Sequence, residues 1–159
     1  MARPSATRPA ANPEPDEINK AIIRQLQDDG RRPYAAIGKA VGLSEAAVRQ
    51  RVQKLIDNGV IQIVAVTDPM QLGFARQVMI GIQADRDLVK VADALGAIPE
   101  VDYVVIVAGP YDVIIEAVVT DDAHLLDLLS EIRSIDGVDR TETFLYLKLA
   151  KQTYNWGAK

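Results

Sequence analysis

Cysteine is absent from the 159 residues, and histidine occurs once, as His124. Without thiols there is no disulfide, thiolate zinc site, iron–sulfur cluster or cysteine nucleophile. A single imidazole excludes multi-histidine metal sites and leaves one possible imidazole base. Long apolar runs are missing as well. Nothing approaches the ~18 consecutive apolar residues of a membrane span, and the first residues lack the apolar core of a secretory leader. The expected location is the cytoplasm, with no membrane partner. Positive charge is also not in excess, since the formal net charge is −4. That total speaks against a nucleic-acid partner only if the charges are evenly spread.

They are not. Residues 1–66 carry 10 Lys and Arg against 7 Asp and Glu, a net of +3, whereas residues 67–159 carry 8 against 15, a net of −7. Within 31–66, Arg31, Arg32, Lys39, Arg49, Arg51 and Lys54 face only Glu45 and Asp57, a net of +4. A basic module joined to an acidic one is the implied organisation. The Asp68-Pro69 step marks the join, because the residue before proline is pushed out of helix. Residues 1–15 hold four of the eight prolines and only small or polar side chains. They cannot bury enough apolar surface to offset their ordering entropy and are expected to form a disordered tail.

The basic module, 16–59, reads as three helices. Asp16 is a candidate N-cap for a stripe of Ile18, Ile22, Ile23 and Leu26 that stops at Gly30. Pro33 suits the first turn of a second helix with Ile37, Ala40 and Val41 facing inward. Gly38 within it suggests close approach by a neighbouring helix. Gly42 can take the left-handed conformation that ends this helix, and Ser44 can cap the next, with Leu43 and Val48 at hydrophobic-staple spacing. The third helix runs to about 58–59 and buries Val48, Val52 and Leu55. Two helices joined by a tight glycine turn make a helix-turn-helix.

The third helix turns Ala46, Gln50, Gln53 and Lys54 away from its apolar stripe, with Ala47 and Arg49 flanking. Small alanines let the backbone approach base edges, glutamines suit adenine and arginine suits guanine or phosphate. Arg31, Arg32 and Lys39 are candidates for phosphate neutralisation. A solvated helix face has a similar composition. Arg51, at the edge of the stripe, reads as structural.

The acidic module, 75–151, follows a linker strand and turn over 60–74 and precedes a short tail, 152–159. Strand-like runs at 77–83, 103–108, 112–119 and after Gly137 alternate with helical stripes of Leu88, Val91, Ala92 and Leu95 and of Leu125, Leu128, Leu129 and Ile132. Asp87 can cap the first of these helices. The order β-α-β-β-α-β is the ferredoxin-like split arrangement, an antiparallel sheet with both helices on one face. The complete fold is therefore α+β, a three-helix helix-turn-helix module followed by a ferredoxin-like βαββαβ module. Apolar residues on both sides of the strands (Tyr103, Val105 and Val107 against Val104 and Ile106) leave an association surface, most simply a sheet-to-sheet homodimer.

The run PYAAIGKAVGLSEAAVRQRVQKLIDNGVIQ and the later turn AGPYDV resemble the Lrp/AsnC (feast/famine) family of transcription regulators over about residues 16–151. The resemblance implies a helix-turn-helix that binds double-stranded DNA and a dimerising sensor domain. It further implies dimers assembling to tetramers or octamers, and an amino acid or similar metabolite bound near the Gly-x-Tyr-Asp turn. Gly109, Tyr111 and Asp112 match that turn. Gly109 would admit ligand or a neighbouring chain, Tyr111 would give an aromatic wall and a hydroxyl, and Asp112 would bind an ammonium group or brace the loop. Two positions depart from the family: Pro110, where an aspartate is frequent, and Pro33-Tyr34, where a polar helix cap is usual. Read without the family, Gly-Pro-Tyr-Asp is a tight hairpin turn.

No cofactor, metal site or catalytic residue is expected. His124 lies at a helix start beside Asp121 and Asp122, which can hold its ring, but no nucleophile motif, phosphate loop or distinct carboxylate pair accompanies it. Siroheme decarboxylases share a similar two-part architecture and form the enzymatic alternative. They would need cationic or histidine side chains in the sheet module, which here is acidic. An architectural DNA-binding protein without effector control is the other alternative.

Overall fold

The computed structural model describes residues 15–153. These divide into two compact units, one comprising residues up to 66 together with those from 151, the other 67–150. The tails expected over 1–15 and 152–159 lie outside the described residues except for 15 and 152–153.

The first unit has three helices, two of which open on side-chain caps. Helix α1 (Glu17–Asp28) opens on Asp16, whose carboxylate accepts the backbone N–H of Asn19 at 2.7 Å. Helix α2 is Tyr34–Val41. Pro33 precedes it as the cap residue instead of lying in its first turn, and offers no side-chain capping bond. Helix α3 (Glu45–Asp57) opens on Ser44, whose hydroxyl accepts from the Ala47 N–H at 3.2 Å. Gly42, at φ 74°, makes the left-handed turn between α2 and α3 that a Cβ would resist.

Gly38 is required, though by a different neighbour from the one expected. A Cβ there would lie 2.5 Å from the Leu43 carbonyl oxygen, so the crowding comes from the turn itself and not from another helix. Leu43 donates its N–H back to the Gly38 carbonyl at 2.9 Å, which holds the turn against the glycine. Ile22, Ile37, Val48 and Val52 form the core, edged by Ile18, Leu26, Tyr34, Val41 and Leu43. Ala40 is exposed and takes no part in it. The linker expected as a strand is not one. Residues 60–68 have no ladder partner among the described residues, and the chain next forms a short 3-10 turn at Pro69–Leu72.

The second unit has strands β1 (Arg76–Ala84), β2 (Val101–Ile106), β3 (Val113–Val119) and β4 (Val138–Leu145), with helices α4 (Leu88–Gly96) and α5 (Asp122–Ser134). The sheet order is β2-β3-β1-β4 and every pairing is antiparallel. Asp87 caps α4 through the Lys90 N–H, at 3.2 Å. Val78, Ile80 and Ile82 of β1 and Val113, Ile115, Ala117 and Val119 of β3 pack with Val91 and Leu95 of α4 and Leu128 and Ile132 of α5. Both helices thus cover one face. Side chains alternate along a strand, and antiparallel partners share a face. The pairs Gly81↔Glu142, Met79↔Phe144, Gly81↔Ile114 and Val105↔Ile114 therefore lie on the other face, which neither α4 nor α5 covers.

Candidate functional site

Two surfaces carry the predicted site residues, one in each unit. In the first, burial of Val48, Val52 and Leu55 turns the opposite side of α3 to solvent. Ala46, Arg49, Gln50, Gln53 and Lys54 are all exposed there, and Ala47 is half-buried. Ser44, also exposed, caps the start of the helix, its hydroxyl oxygen accepting the Ala47 N–H. Gln53 donates to Asp57 at 2.8 Å, which uses one of its two amide hydrogens. Arg49 donates to Glu45 at 2.9 Å, and its guanidinium lies 5.4 Å from the centre of the Tyr34 ring.

Arg32 pairs loosely with Asp28, at 3.5 Å. The side chains of Arg31, Lys39, Gln50 and Lys54 have no hydrogen-bond or ion-pair partner among the described residues. Three unpaired cations therefore stand on the unit that carries α3. Arg51 behaves as its edge position implied, bonding Asp16 at 2.8 Å and the Asn19 side chain at 3.0 Å. It ties α3 to the start of α1 and points away from any DNA role. Those two bonds leave Asp16 with a carboxyl held below its ordinary value, first by the Asn19 N–H and then by Arg51.

Tyr34 and Glu45 were not among the sequence candidates. The Glu45–Arg49 spacing of four residues was a readable signal, because side chains four apart share a helix face. The Tyr34 contact was not, since it depends on how α2 crosses α3.

The second surface centres on the turn between β2 and β3. Tyr111 folds its ring over β1, where Gly81 is the residue that makes room: a Cβ there would sit 2.7 Å from the ring. The Tyr111 hydroxyl donates to Glu142 at 2.5 Å, and the ring meets Phe144 edge-on at a centroid distance of 6.1 Å. That bond to a carboxylate is the main cause that raises the phenol's pKa above its ordinary value. Farther along the same face Tyr146 is pushed up to about 12, chiefly by burial and next by the charge of Glu116.

Asp112 has one carboxylate oxygen bonded to the sheet. Its Oδ2 accepts the Ala84 N–H at 2.9 Å, next to the irregularity between Gln83 and Ala84 in the β1–β4 register. That contact accords with the bracing role expected of it. Gln83 donates to the Pro110 carbonyl at 2.9 Å, closing the turn onto β1. At Gly109 a Cβ would meet nothing within 4 Å, so the backbone there is open to an incoming molecule. The turn thus offers an aromatic wall, a phenol–carboxylate pair and an open approach, with Arg140 exposed on β4 opposite Gln83. Glu142 and Gln83 escaped sequence reasoning because they lie 31 and 27 residues from their partners in the turn.

His124 is engaged differently from expectation. Asp121 accepts the His124 backbone N–H at 2.8 Å, which caps α5, but neither Asp121 nor Asp122 holds the ring. The ring lies between Glu100, 3.0 Å from Nε2, and the Thr120 hydroxyl, 3.1 Å from Nδ1. It clips the start of α5 to the segment before β2. Among the described residues no group of three or more His, Asp or Glu side chains is placed to hold a metal ion. No described helix is long and apolar enough to cross a membrane.

Comparison with known proteins places both units. Residues 16–56 match the AsnC-type helix-turn-helix domain, and residues 77–156 match the Lrp/AsnC ligand binding domain. An uncharacterised HTH-type transcriptional regulator of Pyrococcus horikoshii is 36% identical over 144 residues, covering 89% of this chain and 91% of its own. Among solved structures, the leucine response regulatory protein of Mycobacterium tuberculosis is similar with a TM-score of 0.80 at 28% identity, over 87% of this chain and 96% of that one. AsnC of E. coli is similar with a TM-score of 0.76 at 26% identity, over 88% and 97%.

Proposed function

Because this chain belongs to the Lrp/AsnC family of transcriptional regulators, with a helix-turn-helix and a ligand-binding domain, we propose that it reads an operator through α3 and answers to a small metabolite at the 109–112 turn. The observation that carries the first half is the α3 surface. A helix buried on Val48, Val52 and Leu55 presents Ala46, Arg49, Gln50, Gln53 and Lys54 together. That composition suits a major groove, with alanines for close approach and long polar side chains for base edges. Arg31, Lys39 and, once released from Asp28, Arg32 supply phosphate contacts that set register without reading sequence. The test is the double variant Arg49→Ala with Gln50→Ala. Specific promoter binding is expected to fall at least tenfold with the oligomer intact, and unchanged binding would remove α3 as the reader.

For the second half, the turn supplies recognition chemistry for an amino acid. The Tyr111–Glu142 pair offers acceptor oxygens for an ammonium group, and the exposed Arg140 offers donors for a carboxylate. Asp112, committed to Ala84, acts by holding the turn. A thermal-shift screen of amino acids and related catabolites tests this, because a ligand of the folded state raises its melting temperature by mass action. If Tyr111→Ala left every small-molecule response unaltered, the site would lie elsewhere.

The open sheet face supports a homodimer. Tyr103 is 53% exposed and Phe144 37% exposed, with Met79, Val105 and Ile114 half-buried between them. Sheet-to-sheet association would bury this strip and present two α3 helices to two half-sites. Further assembly into tetramers or octamers would bring more heads onto one promoter. Regulation without catalysis accords with a His124 ring used to join two segments of its own fold.

A further inference from the structure

We propose that Glu45 is a specificity-determining residue of the DNA face: paired with Arg49 and steadied by Tyr34, it makes a donor–acceptor unit that reads a G·C base pair and not a phosphate. This rests on the operator-reading function proposed above. The geometry begins with Arg49. One guanidinium nitrogen donates to Glu45 Oε1 at 2.9 Å, and the group lies 5.4 Å from the centre of the Tyr34 ring. A guanidinium carries five donors in a rigid fork, so a single bond to Glu45 leaves most of them available. The contact with the aromatic ring restrains the plane in which they are offered.

Charge then decides what the unit can bind. Arg49 and Glu45 together carry no net charge, and the carboxylate repels phosphate. A lone arginine on this helix would drift to the backbone of the duplex, as cations do; a neutralised one gains little there. In the major groove a G·C pair presents the complementary pattern, acceptors O6 and N7 on guanine and a donor N4 amino group on cytosine. Arginine donors and a glutamate acceptor one helical turn apart match it. The side chains are 66% and 52% exposed, so both can reach a partner. They lie in the first turns of α3, beside the exposed Ala46, where a recognition helix meets base edges. Phosphate contacts fall instead to the exposed Arg31 and Lys39.

A surface ion pair that merely supports the helix would have the same spacing, so the experiment must separate the two roles. The full chain is used to select sites from a randomised duplex pool. Binding to the selected site, to that site with each G·C pair replaced by A·T, and to unrelated duplex is then titrated across salt concentrations. For the wild-type chain, replacing one G·C pair is expected to weaken binding about tenfold or more, in keeping with the discrimination of a bidentate contact. Glu45→Gln should shrink that penalty to about threefold or less and tighten binding to unrelated duplex. It should also steepen the dependence of log K on log salt by about 0.9, the increment of one phosphate contact, as Arg49 is released. Arg49→Ala should lose the same discrimination with little change in salt slope. Tyr34→Leu should weaken the discrimination while Tyr34→Phe, which keeps the ring, retains it. Circular dichroism of each variant establishes that the head is folded. A Glu45→Gln chain with wild-type base preference and salt slope would overturn the inference, as would an Arg49→Ala chain that lost one phosphate's worth of slope but kept its preference. A wild-type chain that retained no duplex at all would overturn the operator-reading function, and the inference with it.

Discussion

Asp112 illustrates how a single side chain in the sensor unit is committed. Beside the register irregularity between Gln83 and Ala84 in β1, the Asp112 carboxylate accepts the Ala84 N–H at 2.9 Å. Truncation to Ala strands that donor, which costs about 1–3 kcal/mol. For a unit of this size the melting temperature falls about 4–8 °C per kcal/mol. Asp112→Ala is therefore expected to lower the sensor transition by several degrees. Asp112→Asn, which keeps an acceptor oxygen, should lose less than half as much. Scanning calorimetry of the two variants checks the order, and equal losses would remove the bracing role. Gly81→Ala tests the neighbouring contact, since its Cβ would intrude to 2.7 Å on the Tyr111 ring. The ring must move, and any metabolite response is expected to go with it; the response is read by thermal shift in the presence of the ligand.

Asp16 gives a pH dependence in the head. Its carboxyl is held below the ordinary 3.8 by the Asn19 N–H and by Arg51. A carboxylate with a lowered folded-state pKa contributes stability above its unfolded value, and that contribution disappears as pH falls through the folded value. Acidification below about pH 4 should therefore loosen α1, and Asp16→Asn should flatten that part of the profile. Helical circular dichroism between pH 5 and 2 gives the comparison, and identical profiles for the two chains would show that Asp16 contributes nothing to the slope.

At the scale of elements, the α2–α3 turn is the most constrained part of the head. Ser44→Ala removes a cap and is expected to cost about 1 kcal/mol of head stability. Gly38→Ala is harsher despite alanine's better helix propensity, about 1 kcal/mol in its favour. The added Cβ meets the Leu43 carbonyl at 2.5 Å, and backbone cannot yield as a flexible side chain can. The helix-turn-helix should open, abolishing DNA binding. Limited proteolysis is expected to cut within 16–59 while 76–145 stays protected, and full DNA binding by Gly38→Ala would show that the turn tolerates the contact.

At the scale of the whole molecule, the proposed homodimer depends on the uncovered sheet face. Helices α4 and α5 cover one face with the apolar core, while Tyr103, Val105, Ile114, Met79 and Phe144 line the other. A charge introduced there, as in Phe144→Asp, would be buried unpaired in a sheet-to-sheet dimer. Light scattering should then report a lower mass. Operator affinity should fall with it, because two half-sites bound by linked heads gain from effective concentration. An unchanged mass would place the interface on another surface.

Much of this molecule was readable from local pattern. Periodicity of apolar residues placed all five main helices, and Asp16, Ser44 and Asp87 cap their helices as their positions predicted. The split of charge into +3 and −7 halves revealed a basic head that the total of −4 concealed. These features depend on residues within a turn or two of one another, where spacing fixes geometry. Contacts between distant segments followed a different rule. Arg51 meets Asp16 across 35 residues, Tyr111 meets Glu142 across 31, and His124 meets Glu100 instead of the adjacent aspartates. Helix crossing and strand register decide such contacts, and no local spacing encodes either. The sequence by itself therefore determined the helices and strands of the two units, though not the linker between them, together with their order and the chemistry available on each face. Tertiary packing decided how several of those groups are engaged: it bonded one Asp112 oxygen to the sheet, left open space at Gly109 and brought Tyr34 against Arg49, because only helix crossing and strand register bring such segments together.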